Sequence, residues 1–156
     1  MAKQKAGSKF QYDLQAVLKV RAIKAKREQE KFAEKQREYT TEKDKEELIE
    51  QTKRTREEDL RDVFRRGAIS DFSRVLQRKA NLEVLKDDLA RQVEKVIEAS
   101  KLLEEQRAKL IISMKDKKIM EKHKEKKLDE YHKMMLNLET KFLDEIATER
   151  FKHNER

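Results

Sequence analysis

The sequence contains almost nothing that would interrupt a helix. It has no proline, and of its two glycines only Gly67 lies away from the N-terminus. Proline and glycine are the residues least compatible with a helix interior, whereas the Lys, Glu, Leu, Arg, Gln and Ala that dominate here favour helices. A chain with a single interior break is therefore predicted to form two long helices that meet near Gly67.

The sequence on either side of Gly67 has the features of one helix ending and another beginning. Two arginines precede the glycine and complement a helix C-terminus, and Ser70 after it is a residue type that caps helix N-termini. Near the start of the chain, Ser8 and Gln11 have the spacing of a capping box. We therefore predict a basic, flexible tail at 1–8, helix 1 at about 9–65, a turn at 66–69, helix 2 at about 70–152 and a tail at 153–156.

Apolar residues recur every seven positions in both predicted helices. In helix 2 one such series consists of Val75, Leu82, Leu89, Val96, Leu103 and Leu110. The series in helix 1 also includes charged residues, which weaken the seam or set its register. A strict seven-residue period indicates a left-handed coiled coil. We predict an all-α fold in which two long helices form an antiparallel coiled-coil hairpin, with residue i facing about 134 − i.

Helix 2 is predicted to be longer than helix 1 and to overhang it. In this register Phe10 reaches about Lys124, so about 30 residues of helix 2, roughly 45 Å, extend beyond helix 1. This segment carries an apolar row with helical spacing, here named the C-terminal stripe, which consists of Leu128, Tyr131, Met135, Leu138, Phe142 and Ile146. A long exposed apolar row marks an interface. The alternatives are a different offset between the helices, or a homodimer that covers the row.

The composition agrees with paired helices rather than with a compact domain. Charged residues make up 46% and hydrophobic residues 36%, which is too few for a large core but enough for one apolar face on each helix. The net charge is +8, and residues 1–37 hold eleven Lys and Arg against four Asp and Glu. That excess suits an acidic protein surface, nucleic acid or anionic lipid, or is simply a solvated helix face. Because opposite charges alternate along the chain and no nucleic-acid-binding motif is present, we do not expect nucleic acid as the partner.

The sequence offers no recognisable catalytic or metal site. It has no cysteine, no glycine-rich phosphate loop and no nucleophile elbow, and its three histidines are not spaced to ligate one metal. We therefore expect no enzymatic activity, no cofactor and no metal. Since it lacks a signal-peptide pattern and any apolar run near the roughly 20 residues of a membrane span, we expect a soluble, cytoplasmic protein.

Short motifs at both ends of the chain resemble those of a known family. Near the start, the pattern F-x-x-x-L-x-x-V-L-x-x-R is matched by Phe10, Leu14, Val17, Leu18 and Arg21. Near the end, residues 139–150 match E-x-K-x-L-D-E-x-A-x-x-R. Both are similar to motifs of the FliJ family of flagellar export proteins and its injectisome relatives, and Gly67 falls where that family turns between helices. The resemblance extends over nearly the whole chain.

The resemblance implies a non-enzymatic stalk protein of the flagellar type III export apparatus. Members of this family are two-helix coiled coils similar to the central stalk of rotary ATPases. They sit in the hexameric ring of the export ATPase, promote its assembly, couple it to the export gate in the membrane and escort substrate chaperones. This chain would act in the cytoplasm, at the inner-membrane export apparatus, and would touch the membrane only through partners. The alternatives are an injectisome stalk homologue, a basic scaffolding or nucleic-acid-binding coiled coil, or a self-assembling filament.

Carried onto this sequence, the resemblance assigns two surfaces. The ATPase-ring-binding surface combines both chain ends and consists of Leu14, Val17, Leu18, Arg21, Leu138, Phe142, Leu143, Asp144, Glu145, Ile146, Ala147 and Arg150. The export-gate-binding surface is an i, i+4 row early in helix 2 that consists of Phe72, Leu76, Ala80 and Val84. The plainer interpretation is that Leu14 and Leu18 close the open end of the coiled coil, and that the row in helix 2 is a set of scattered surface residues.

Overall fold

The computed structural model describes residues 9–65 and 72–154, which are helical except at residues 9–14. Helix α1 spans Gln15–Arg65 and helix α2 spans Phe72–Asn154. No strand occurs in these described ranges. Over the same ranges, neither helix contains an apolar stretch long enough to cross a membrane. The predicted fold class, an all-α helical hairpin, is confirmed.

Helix α1 begins later than predicted, at Gln15 instead of about residue 9. Residues 9–12 have no regular secondary structure, residues 13–14 form a turn, and the Gln15 amide donates to the Tyr12 carbonyl at 3.0 Å. Side chains two residues apart share one side of an extended segment, so Phe10 and Tyr12 can both pack on α2. In a continued helix they would point in nearly opposite directions. Burial of two aromatic rings therefore accounts for the extended path.

The remaining boundaries lie close to the prediction or outside the described residues. Helix α2 ends at Asn154, two residues into the predicted C-terminal tail. The predicted tail at 1–8, which includes Ser8, and the predicted turn at 66–69 lie outside the described residues. Gln11, the other member of the predicted capping box, lies before α1 and so is not in a first helical turn.

The structure divides into two units, each built from parts of both helices. Unit 1 contains residues 1–25 and 112–156, and unit 2 contains residues 26–111. In unit 2 the helices are antiparallel, because Glu28 pairs with Gln106 whereas Glu42 pairs with Gln92. Both pairs agree with the expectation that residue i faces about 134 − i.

The hydrophobic seam of unit 2 follows the seven-residue series in α2. Val75, Leu82 and Val96 are buried, and Leu89 and Leu103 are half-buried. No side chain among the described residues is completely shielded from solvent. Because two paired helices can bury only one stripe each, this seam is the whole core of the unit.

In unit 1 the helices are also antiparallel. The Arg21 guanidinium donates to the Asp116 carbonyl at 3.0 Å, and seven residues further along α2 His123 contacts Tyr12. Met120 is buried between these two contacts. The beginning of α1 is therefore held against the middle of α2, and the end of α2 extends past it.

Candidate functional site

The C-terminal stripe becomes more exposed toward the end of α2. Its first three residues, up to Met135, are half-buried, whereas Leu138 and Phe142 are 40% and 61% exposed. Leu143, which lies beside the stripe, is also largely exposed, and Ile146 is half-buried. Burying a large apolar side chain is worth roughly 1.5–3 kcal/mol. Covering this end of α2 therefore contributes favourably to the free energy of binding a partner.

The start of the stripe is covered by the extended segment at residues 9–14. The ring of Phe10 lies against that of Tyr131, with the ring centroids 5.6 Å apart. The sequence-based estimate stopped at about Lys124, two turns short, because an extended residue spans about 3.3 Å and a helical residue only about 1.5 Å. Among the described residues, the N-terminal segment contacts α2 as far as Tyr131, and about 20 residues of α2, or roughly 30 Å, lie beyond that contact.

Tyr12 anchors this extended segment, and sequence reasoning did not identify it. The residue is buried, and its hydroxyl oxygen lies 2.8 Å from Nδ1 of His123 and 3.5 Å from the Met120 carbonyl oxygen. A buried tyrosine ring with a satisfied hydroxyl stabilises the contact through both its apolar and its polar parts. The signal that could have revealed it is the spacing of aromatic residues at positions 10 and 12, which favours an extended segment over a helix.

The structure does not bring the two halves of the predicted ring-binding surface together. The half on α1 faces the middle of α2, as the Arg21–Asp116 and Tyr12–His123 contacts show. Leu138, which begins the other half, lies 15 residues beyond His123, or about 22 Å along the helix. The predicted surface is therefore two separate patches.

The two patches also differ in exposure. On α1, Leu18 and Arg21 are half-buried, whereas Leu14 and Val17 are exposed. Half-burial of Leu18 agrees with the plainer interpretation that it helps to close the helix pair. On α2 the remaining predicted residues, apart from Ile146, are exposed, and these are Leu138, Phe142, Leu143, Asp144, Glu145, Ala147 and Arg150.

Negative charge surrounds the exposed end of α2. Residues 128–151 hold six Asp and Glu against three Lys and Arg, a net charge of −3. Residues 112–127 instead hold seven Lys against three Asp and Glu, a net charge of +4. The exposed end is thus an apolar row among carboxylates, which suits a partner that offers apolar and basic groups.

Two polar layers cross the seam of unit 2. The side-chain amide of Gln106 donates to the Glu28 carboxylate at 2.6 Å and to its backbone carbonyl at 3.3 Å. The amide of Gln92 donates in the same way to Glu42, at 2.7 and 2.9 Å. Because both glutamines are buried, these bonds satisfy polar groups that would otherwise be costly in the seam. The layers also determine which residues face each other.

The same hydrogen bonds affect the two carboxyl groups. For Glu28, the bond from Gln106 contributes most to lowering the pKa below its ordinary value, followed by that from Lys31. For Glu42 the pKa is also lowered, with Lys45 as the largest cause and Gln92 the second. Both carboxylates are therefore held in their charged form in the folded protein.

The predicted gate-binding row is exposed along its whole length. Phe72, Leu76 and Val84 are each more than half exposed, and Ala80 is exposed as well. Val75, in contrast, is buried in the seam next to them. Because residues four apart lie close together on a helix surface, the row forms an apolar ridge outside the seam of unit 2. Its partner stays a prediction.

The charged side chains are spread along both helices. Among the described residues, no group of three or more His, Cys, Asp or Glu side chains could hold a metal ion. The ion pairs join side chains three or four residues apart on one helix, as in Lys31–Glu28 and Lys127–Glu130. Such exposed pairs contribute little to stability and create no enclosed site.

Known proteins resemble this chain in sequence and in fold. The family model for the flagellar FliJ protein matches residues 10–156. Among solved structures, the YscO homologue CT670 of Chlamydia trachomatis is similar, with a TM-score of 0.58 and 24% sequence identity over 94% of this chain and 98% of that one. At this identity the likeness shows the fold alone. A search of curated proteins gives no match.

Proposed function

Because this chain belongs to the flagellar FliJ family, we propose that it is a non-enzymatic central-stalk component of the flagellar type III export apparatus. Family membership and fold support a stalk-like protein of type III secretion. In the full proposal, the chain binds the hexameric export ATPase, promotes assembly of the ring, couples it to the export gate and escorts substrate chaperones. This role requires a location at the cytoplasmic face of the inner membrane.

The exposed end of α2 is the observation that supports ring binding. A helix inserted into the central hole of a hexamer is surrounded by subunits, so the hole can cover the apolar side chains that are exposed beyond Tyr131, such as Leu138 and Phe142. Four large apolar side chains at roughly 1.5–3 kcal/mol each could supply most of the about 8 kcal/mol of a micromolar complex, after ordering costs. The neighbouring carboxylates would then face basic groups of the ring.

The proposal is tested by placing a charge at the exposed end. We expect Phe142→Glu and Leu138→Glu to weaken binding to the purified ATPase hexamer by at least about tenfold, because each variant would bury a charge against an apolar wall. The melting temperature of the isolated monomer should stay nearly unchanged, since both side chains are exposed. A binding titration and a thermal melt measure the two effects.

Two control variants separate binding from folding. Leu48 in unit 2 is 64% exposed, which matches the 61% of Phe142, so Leu48→Glu should leave both stability and ring binding intact. Leu103 lies in the seam, so Leu103→Glu should unfold the helix pair first and lose binding only as a result. If Phe142→Glu destabilises the free chain as much as Leu103→Glu does, the stripe is core and the proposal fails.

Coupling to the export gate is assigned to the apolar ridge of Phe72, Leu76, Ala80 and Val84. The supporting observation is that these residues are exposed in one row while Val75 beside them fills the seam. A partner could therefore cover the ridge without disturbing the helix pair. This part of the proposal stands or falls independently of ring binding, because the ridge belongs to unit 2 and the stripe to unit 1.

A further inference from the structure

A second exposed apolar patch lies on one side of unit 1. It consists of Val20 in α1 and of Ile112 and Ile119 in α2, which are 66%, 60% and 61% exposed. We name it the aliphatic flank. None of the three residues belongs to the seam or to the surfaces assigned above. Three branched aliphatic side chains this exposed in one place are unusual in so polar a sequence.

The three residues lie on the same side of the helix pair. Val20 directly precedes Arg21, which reaches across to the Asp116 carbonyl, and Ile112 and Ile119 each directly precede a buried residue of α2. In an antiparallel pair of right-handed helices, residues that precede seam residues project to the same side from both helices. The Arg21–Asp116 contact sets Val20 at a level between Ile112 and Ile119, which are two helical turns, or about 10 Å, apart, so the three lie at successive levels on one side of the helix pair.

Positive charge surrounds the aliphatic flank. Residues 14–25 hold three Lys and Arg and no Asp or Glu, and residues 112–127 carry a net charge of +4. Lys24 is four residues from Val20, and Lys115 and Lys122 are each three residues from an isoleucine of the flank, spacings that put them on the same helix faces. Asp116, which lies between the two isoleucines, is the one acidic residue at such a spacing, so the lysines outnumber it. A ligand for this patch must therefore be apolar and negatively charged at once.

The chain itself carries a surface with that chemistry. The exposed end of α2 combines Leu138, Phe142 and Leu143 with a net charge of −3 over residues 128–151. It cannot reach the flank of its own chain, because Ile119 and Phe142 lie 23 residues, or about 35 Å, apart on one continuous helix. The complementary surfaces can meet only between two molecules.

We propose that two copies of this protein associate antiparallel through unit 1, with the acidic end of α2 of each copy lying on the aliphatic flank of the other. The two contacts are equivalent, so they close a two-fold dimer and leave neither surface free to recruit a third copy. The dimer forms without the export ATPase. It covers the stripe that the proposed function assigns to the ring, so a second copy and the ring compete for the same residues.

Charge reversal in the intact chain tests the dimer. Sedimentation equilibrium over a micromolar concentration range should show a dimer at low salt that dissociates as salt rises. Lys115→Glu with Lys122→Glu on the flank, or Glu139→Lys with Asp144→Lys at the acidic end, should each weaken self-association by at least about tenfold. The matched control for the flank variant is Arg78→Glu with Lys101→Glu, at exposed positions in unit 2, which should dimerise like the unaltered chain.

Mixing the two charge-reversed variants gives the most specific result. Each alone should be monomeric, since it opposes like charges at both contacts. Together they should form a heterodimer, because a negative flank then meets a positive end and a positive flank meets a negative end. A single chain that carries all four substitutions should also dimerise. This recovery shows as well that the substituted chains are folded.

Three outcomes would overturn the proposal. The first is an unaltered chain that stays monomeric over the whole concentration range. The second is a dimer that both charge-reversed variants form unchanged, or a mixture that associates no better than its components. The third is a monomeric chain that floats with vesicles of phosphatidylglycerol and phosphatidylcholine and loses this binding in the flank variant, which would make the flank a lipid-binding surface. Ring binding is measured separately, so failure of the dimer leaves the proposed function untouched.

Discussion

At the residue scale, Gln92 and Gln106 illustrate how a buried polar side chain can fix the register of a coiled coil. Each amide donates to two acceptors of one glutamate on the facing helix. A shift by one heptad would place Gln92 opposite Lys35 or Ile49 instead of Glu42, and neither side chain offers an acceptor. The Gln92 amide would then lose its side-chain acceptor and keep at most a backbone carbonyl, and a buried donor left unsatisfied costs about 1–3 kcal/mol. The layers therefore penalise shifted pairings that the apolar heptads alone would permit.

The lowered pKa values of Glu28 and Glu42 predict how stability responds to acid. A carboxyl group whose pKa is lower in the folded than in the unfolded state stabilises the fold above its unfolded pKa, and that contribution is lost as pH falls through the folded pKa. We expect Glu28→Gln with Glu42→Gln to lower the melting temperature at pH 7. The difference from the unaltered chain should shrink as pH falls below the ordinary pKa of glutamate, and it should disappear in acid, once both carboxyl groups are protonated in the folded chain as well.

Thermal melts followed by circular dichroism at pH 7 and in acid measure this difference. Glu58→Gln with Glu94→Gln, at exposed positions off the seam, provides the same change in net charge and should not reproduce the effect. A loss of stability that is equally large at both pH values would show that the two layers act by packing rather than by charge.

At the element scale, the ridge early in α2 can be altered without altering the seam beside it. Leu76→Asp and Val84→Asp place a charge where the side chain is already more than half exposed, so melting should change little. Leu82→Asp, at a buried seam position, should destabilise the helix pair by several kcal/mol, on the order expected for an unpaired buried charge.

Binding to the cytoplasmic part of the export gate distinguishes the two interpretations of the ridge. We expect Leu76→Asp and Val84→Asp to weaken that binding, which a pull-down or a titration with the folded variants would measure. Normal gate binding and normal export by both variants would show that the ridge is only surface.

Helix pairing was predictable from the sequence because its causes are regular and local. One interior break and a strict heptad sufficed to pair Glu28 with Gln106 and to place the C-terminal stripe beyond most of α1. The path of residues 9–14 was not predictable in this way. Two aromatic residues at positions 10 and 12 are too short a pattern to outweigh the helical pattern that follows, and it is contact with α2, through Tyr12 and His123, that stabilises the extended path.

The candidate site was predicted in part for the same reason. The spacing of Leu138 and Phe142 is enough to recognise an apolar row, and its exposure follows once the register is known. Motifs at the two ends of a chain do not reveal whether they meet in space. Whether they meet depends on the offset between the helices. That offset leaves Leu14 and Val17 about 22 Å or more along α2 from Leu138, where the predicted half on α2 begins.

At the scale of the whole molecule, the proposed stalk has an activity only together with its partner. We expect the purified chain to release no phosphate from ATP, and we expect addition of the chain to raise the activity of the export ATPase. The chain carrying Phe142→Glu should not raise the ATPase activity, because the charge in its C-terminal stripe weakens binding to the ring. Phosphate release by the chain alone that persists through repurification and scales with its concentration would contradict the expectation.

The segment at residues 9–14, which precedes α1, determines how far along α2 the described part of the N-terminus reaches. This segment reaches α2 at Tyr131, and the Tyr12–His123 contact holds it in place. If residues 9–12 instead continued α1 as a helix, the change from about 3.3 to about 1.5 Å per residue would shorten their reach by about 7 Å. About one more turn of α2 would then be uncovered, and the rings of Phe10 and Tyr12 would lose their contacts with α2. The length of α2 that extends past the described N-terminal residues thus depends on a few residues at the opposite end of the chain.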